Sequence, residues 1–220
     1  MRALITLGLL LLCKLSLAGI HITFSDYIIF GGDTLTLSNR PLDSYFDLYP
    51  ELMPIPEEPF THANNQYTAV FEIKDSSLYL TAIYTDKTDT DNTNGRKNLI
   101  SEVFEGQKEV RMNWFSTSLV FGTSSLGRSK RIYGNQRNEK FYLALINDGK
   151  VSSIKESKAK KIKRLRHRLF KEFSKTPQYI ALENTGFGPD SDLKPKEIEK
   201  YLQNKIFDYT SQTKKEKTTR

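Results

Sequence analysis

The chain has 220 residues, 38% hydrophobic and 27% charged, with 13 Phe, 11 Tyr and one Trp. That length fits one domain with a short appendage, and those aromatics can build a core, which excludes a disordered chain, a collagen, a multi-span membrane protein and a disulfide-stapled miniprotein. The formal charge of +7 is unevenly placed: residues 19–150 carry 13 basic and 17 acidic side chains and residues 151–220 carry 18 and 9, so the basic character belongs to the C-terminal third.

Residues 1–18 read as a signal peptide. Arg2 is a short positive start, Ala3 to Cys13 is an apolar run, and Ser16-Leu17-Ala18 offers small residues before a cut after Ala18. The apolar run would reach only about 17 Å as a helix, short of a hydrocarbon core of about 30 Å. Leu12 before Cys13 is the wrong residue for bacterial lipidation. Cleavage after Ala18 would leave a mature chain without cysteine, and the sequence has no N-x-S/T sequon. An exported chain without disulfides or sequons fits a bacterial envelope, periplasmic or secreted.

Residues 19–153 read as strands. Asp26 to Phe30, the turn Gly31-Gly32-Asp33 and Thr34 to Leu37 form a hairpin. Pro41 to Phe46 is a short helical turn, and residues 50–66 are a Pro-, Glu- and Asn-rich loop. Tyr67 to Ile73 and Leu78 to Tyr84 flank Asp75-Ser76-Ser77 as a second hairpin. Its alternation places Tyr67, Ala69, Phe71 and Ile73 on one face, with Leu78, Leu80 and Ala82 on one face of the partner. Residues 85–97 are a polar loop, and Leu99 to Phe104 is a helical turn. Glu109 to Phe121 holds two strands around Ser116-Thr117, and Ile132 to Tyr133 is a further short strand. Lys140 to Ile146, the turn Asn147-Asp148-Gly149 and Lys150 to Ser153 give the last hairpin. Successive hairpins predict a mainly β (α+β) fold: an antiparallel curved sheet or partly open barrel with C-terminal amphipathic helices.

The period changes in residues 154–208. Ile154, Lys158, Ile162, Leu165, Leu169 and Phe173 recur at helical spacing, which predicts one helix over 154–173 stopped by Pro177. Its other face carries Lys155, Lys160, Lys161, Lys163, Arg164, Arg166, His167, Arg168 and Lys171. A Gly-Pro-Asp loop at 185–190 leads to a second helix, Pro195 to Phe207, with Ile198, Leu202 and Ile206 on one face. Residues 209–220 read as a disordered polar tail.

The constellations that could carry chemistry fall short of their motifs. Gly122 to Ser129 has the glycine spacing of a phosphate loop, but Arg128 stands where Lys is needed and no helix pattern follows. The 85–97 loop places Thr90 and Ser101 where a calcium loop needs carboxylates. His62 is the one histidine placed like a catalytic base, without a Gly-x-Ser-x-Gly nucleophile or an H-E-x-x-H metal partner. No metal or cofactor is expected, and the chain leans away from an enzyme, with a small hydrolase around His62 as the rival reading.

The basic helix is the clearest functional signal. Lys160, Lys163, Arg164, Arg166, Arg168 and Lys171 are the candidate binding residues, for an acidic protein or anionic headgroups. Nucleic acid is disfavoured, because the helix lacks interleaved aromatics and the chain is read as exported. The expected function is a binding or interaction module of the envelope, with an immunity-type partner of a toxin as one version. Membrane-surface association through 154–173 is the further alternative.

Several segments resemble a family of small exported proteins of unknown function from Bacteroidetes. They are Gly32-Asp33-Thr34-Leu35 with Pro41-Leu42, FEIKDSSLYL from Phe71 to Leu80, and Asn98 to Phe104 leading to Asn113-Trp114-Phe115-Ser116. The hairpin KFYLALINDGKV and the late amphipathic helix keep the same order, so the resemblance spans about residues 24–210. The chain departs from that family at Tyr67-Thr68-Ala69, where a Cys-Trp pair is common, and at Thr117, where Gly is common. The resemblance implies export and a β-rich fold, and it brings no catalytic residues.

Overall fold

The structure, a computed structural model, describes residues 25–55, 67–85, 97–124, 139–185 and 195–209. In chain order the elements are β1 (Tyr27–Phe30), β2 (Asp33–Leu37), α1 (Asp43–Leu48), a 3-10 turn (Pro50–Leu52), β3 (Thr68–Lys74) and β4 (Ser77–Tyr84). Then come α2 (Ile100–Val103), β5 (Val110–Arg111), β6 (Ser118–Gly122), β7 (Phe141–Asn147) and β8 (Lys150–Ser157). The helices α3 (Ala159–Phe173), α4 (Pro177–Thr185), α5 (Pro195–Asn204) and α6 (Ile206–Tyr209) follow.

Turn chemistry sets the pairing. Gly31 and Gly32, Asp75 and Ser76, and Asp148 and Gly149 all have positive φ, from 47° to 86°. Two left-handed residues in a tight turn twist with the strands they join, so each pair closes an antiparallel hairpin. The strand order β3-β1-β2-β6-β7-β8-β4 closes through β3–β4 into a seven-stranded barrel, with β5 added to β4. The barrel is mixed: β1 lies parallel to β3, Ile28 beside Phe71, because the chain returns along the far side of β1 after α1. One seam is short. Between β4 and β8 a single residue pair, Ser77 and Lys150, is in register.

Two apolar layers result. Ile28, Leu35, Leu37, Ala69, Phe71, Leu78, Leu80, Ile83, Leu119, Phe121, Ala144 and Ile146 fill the barrel, joined by Leu42 and Phe46 around α1 and by Ile100 and Val103 of α2. The second layer lies between the outer wall and the C-terminal helices: Val120 and Phe141 against Ile162, Phe170, Phe173, Ile198, Leu202, Ile206 and Phe207. The period of β6 decides both, with Leu119 and Phe121 inward and Val120 outward. The Thr117 hydroxyl donates to the Phe207 carbonyl at 2.6 Å and fastens α6 to this wall.

Several elements differ from the sequence reading. α1 begins at Asp43 rather than Pro41, since Arg40 to Asp43 forms the entering turn. A register shift opposite Val70/Phe71 puts Ile83 rather than Ala82 into the barrel beside Leu80. Ile154 pairs with Ala144 and packs on the barrel, so the strand runs to Ser157 and the helix starts at Ala159, not 154; the full length of β7 needs a partner. α4 follows Pro177 directly. It carries no apolar stripe, yet Tyr179 and Leu182 pack on the second layer, which overrides the weak pattern. The predicted helix from Pro195 to Phe207 is broken at Lys205 into α5 and α6, and α6 runs through Tyr209. The leader, the Ile132–Tyr133 strand and the tail 210–220 lie outside the described residues.

Candidate functional site

α3 docks on the barrel rather than projecting from it. Ile162, Phe170 and Phe173 are buried, and Leu165 and Leu169 partly so. Of the predicted binding cations, Lys160, Lys163, Arg164, Arg168 and Lys171 are exposed. Arg166 is half-buried on the flank, where desolvation draws its pKa below the usual arginine value. None of the five exposed cations is in an ion pair among the described residues. His167 lies 3.2 Å from the Gln203 amide and so helps join α3 to α5.

This helix is poorly built for its own stability. Its N-cap is Lys158, with no side-chain cap, and its first turn holds no acid while Lys160 and Lys161 sit there. Cations at the positive end of the helix dipole are unfavourable. Between α3 and the adjoining strands runs an open groove of about 370 Å³. Leu143, Ile162 and Leu165 line it together with Lys161, Arg164, Arg168 and Ser157, and its wall is almost wholly apolar, so the basic residues face it with their aliphatic stems.

A buried ionic network, unforeseen in the sequence, joins four distant segments. Asp26 is fully buried and accepts from the Ala69 amide at 2.9 Å and from Arg40 Nη1 at 3.0 Å. Arg40 Nε also donates to Asp43 Oδ1 at 3.1 Å, and its guanidinium lies 4.2 Å from the centre of the Tyr67 ring. Tyr67 Oη donates to Asp43 at 2.8 Å, and Lys205 Nζ donates to the other Asp43 oxygen at 2.6 Å. Burial alone would raise the Asp43 carboxyl; the charges of Arg40 and Lys205 outweigh it and hold it below the usual carboxylate range. Burial pushes the Tyr67 phenol far up, so it remains a donor. Every charge here faces an opposite one, and the network holds the four segments together.

A third feature is a partly exposed aromatic cluster that includes the buried ring of Phe104. Tyr45 of α1 lies 5.0 to 5.2 Å, centre to centre, from Tyr49, Phe104 and Trp114. Trp114 stacks on Phe104 at 6.1 Å and 19°, and stays 40% exposed. Tyr49 is 46% exposed, and Leu48, Met53 and Ile55 of the same segment are also open to solvent. The end of α1, the end of α2 and the turn after β5 supply the rings, so no spacing in the sequence marks them.

His62, most of the 85–97 loop and residues 125–129 of the phosphate-like loop lie outside the described residues. Gly122, the first glycine of that loop, belongs to β6, where a Cβ would collide with the Lys140 carbonyl; close packing explains it. No helix among the described residues is long and apolar enough to cross a membrane. Comparison with protein-family models, with curated proteins and with solved structures finds no match.

Proposed function

We propose that the protein is an exported interaction module of the bacterial envelope, cleaved after Ala18, which binds an acidic surface of a partner protein. Lys160, Lys163, Arg164, Arg166, Arg168 and Lys171 form the recognition face. The observation that carries this reading is the charge at the start of α3: cations crowd the end of the helix that disfavours them, without ion pairs. A face that only needed solvation would gain from an acid there. The groove beside it supports an acidic segment with one or two apolar side chains, which Leu143, Ile162 and Leu165 would cover. A toxin neighbour of the immunity type is one such partner, and the Bacteroidetes resemblance supports the envelope setting.

The test is co-purification from the native host after mild crosslinking, with wild type beside Lys163→Glu/Arg164→Glu/Arg168→Glu. A stoichiometric partner lost in the variant supports the reading. A partner retained by the variant, or anionic vesicles bound in place of protein, overturns it.

A further inference from the structure

Five of the seven large hydrophobic side chains exposed among the described residues are Leu48, Tyr49, Met53, Ile55 and Trp114. Four of them lie in one short segment, and Trp114 is joined to it through Tyr45. Exposed aromatic surface gathered in this way marks an interaction site more often than chance. Two carboxylates adjoin its rings along the chain: Glu51 follows Tyr49 by two residues, and Glu105 directly follows Phe104. The Tyr45 phenol is pushed up first by its burial and then by Tyr49, Glu51 and Glu105. Neither Glu51 nor Glu105 is in an ion pair among the described residues, and both are exposed.

The placement of Glu105 breaks a local rule. After α2 the Gly106 amide bonds back to the Ser101 carbonyl at 2.7 Å, the closing bond of a helix stop. In that stop the preceding residue takes the left-handed conformation, and glycine is the residue that suits it. Here Glu105 holds φ 40° while the glycine comes one position later. The residue directly after Phe104 is therefore a carboxylate at a position where glycine would be easier.

We infer that the Tyr45–Tyr49–Phe104–Trp114 cluster, with Glu51 and Glu105, is a second binding surface whose occupant is a lysine- or arginine-rich segment of a partner protein. Aromatic faces attract cations through their quadrupole, and guanidinium groups stack on them well. Carboxylates adjoining the ring residues along the chain add the opposite charge, and the flanking Leu48 and Met53 cover the aliphatic stems of such side chains. This surface is of opposite sign to α3 and does not depend on that reading.

Trp114 is the chain's single tryptophan, so its fluorescence reports the surface directly. The probe is a capped hexa-arginine peptide titrated into the purified protein at low salt, with capped hexaserine and a neutral glucose oligomer as controls. The expected result is a saturable change in Trp114 emission with the arginine peptide alone. The Glu51→Gln/Glu105→Gln variant should weaken it by about tenfold or more, as loss of a charge contact at a partly desolvated face does. Glu105→Gly separates binding from folding: it should raise Tm while weakening the peptide. A higher Tm with unchanged binding would make Glu105 a helix stop only and overturn the inference. So would a serine or sugar response equal to the arginine one. An emission change driven by protein concentration alone would place a second copy on the surface and overturn it equally.

Discussion

Lys205, the residue at which the C-terminal helix breaks, donates to Asp43 at 2.6 Å across 162 residues of chain. The same carboxylate accepts from Tyr67 and Arg40, so one aspartate ties the helical segment to α1 and to the entry of β3. Removing the ammonium leaves a half-buried carboxylate short of a charged donor. Lys205→Met should cost about 1–2 kcal/mol, in the range for a hydrogen bond to a charged group. Urea unfolding followed by Trp114 emission and by circular dichroism would measure it, and a loss below the error of the fit would disprove the tie.

The network also sets a pH window. Asp43 titrates below its usual 3.8 in the folded protein, because Arg40 and Lys205 outweigh its burial. A carboxyl with a depressed folded pKa contributes stability above its unfolded pKa and loses it as pH falls through the folded value. Lys205 works the other way: burial opposes its charge, Asp43 outweighs burial, and its folded pKa lies above 10.5. Its contribution is present below that unfolded value and lost as pH rises through the folded one. The stability difference between wild type and Asp43→Asn should therefore be largest between roughly pH 5 and 10 and shrink towards pH 3. Melts across that range check the sign; a difference that grew in acid would contradict it.

At the tip of the last hairpin, Gly149 has φ 71°, and a Cβ there would lie 2.7 Å from the Met112 carbonyl oxygen. Both the backbone conformation and the collision oppose a side chain. Gly149→Val should cost about 2–4 kcal/mol, more than a positive φ alone explains. Gly31 also has positive φ, but nothing lies within 4 Å of a Cβ there, so Gly31→Val should cost less. Equal losses at the two turns would argue against the contact with Met112.

Lys160 stands exposed in the first turn of α3. Lys160→Glu should stabilise the protein by about 0.3–1 kcal/mol, because an acid suits the helix N-terminus. The same change should weaken capture of an acidic partner. Gain in one assay with loss in the other would separate the cost of this residue from its use; a loss of stability would remove the electrostatic argument for α3.

What could be read from the sequence was local. Gly31-Gly32, Asp75-Ser76 and Asp148-Gly149 announce their hairpins, and the strand before Phe121 was legible, while the apolar run Leu119-Val120-Phe121 did not say which side chains face which layer. The stripe of α3 was legible, but Ile154 fitted the period by coincidence and belongs to the barrel. α4 was hidden because Tyr179 and Leu182 bury themselves on neighbours without forming a stripe of their own. The ionic network and the ring cluster were invisible for a different reason. Asp26, Arg40, Tyr67 and Lys205 converge only after the barrel closes, and Tyr45 meets Trp114 across three intervening strands and a helix.

The short seam has a consequence for how the molecule comes apart. β4 and β8 meet at Ser77 and Lys150, where the Leu78 amide bonds the Gly149 carbonyl at 2.8 Å and the Val151 amide bonds the Ser76 carbonyl at 2.9 Å. The ring is clasped there by two interlocked hairpin tips, while its other joins are ladders of two or more residue pairs. Parting that clasp breaks no hairpin and opens the interior beside Leu78 of β4 and Val151 of β8. Deuterium should reach the Leu78 and Val151 amides sooner than those of β7, making this line the fault along which the barrel yields under heat or load.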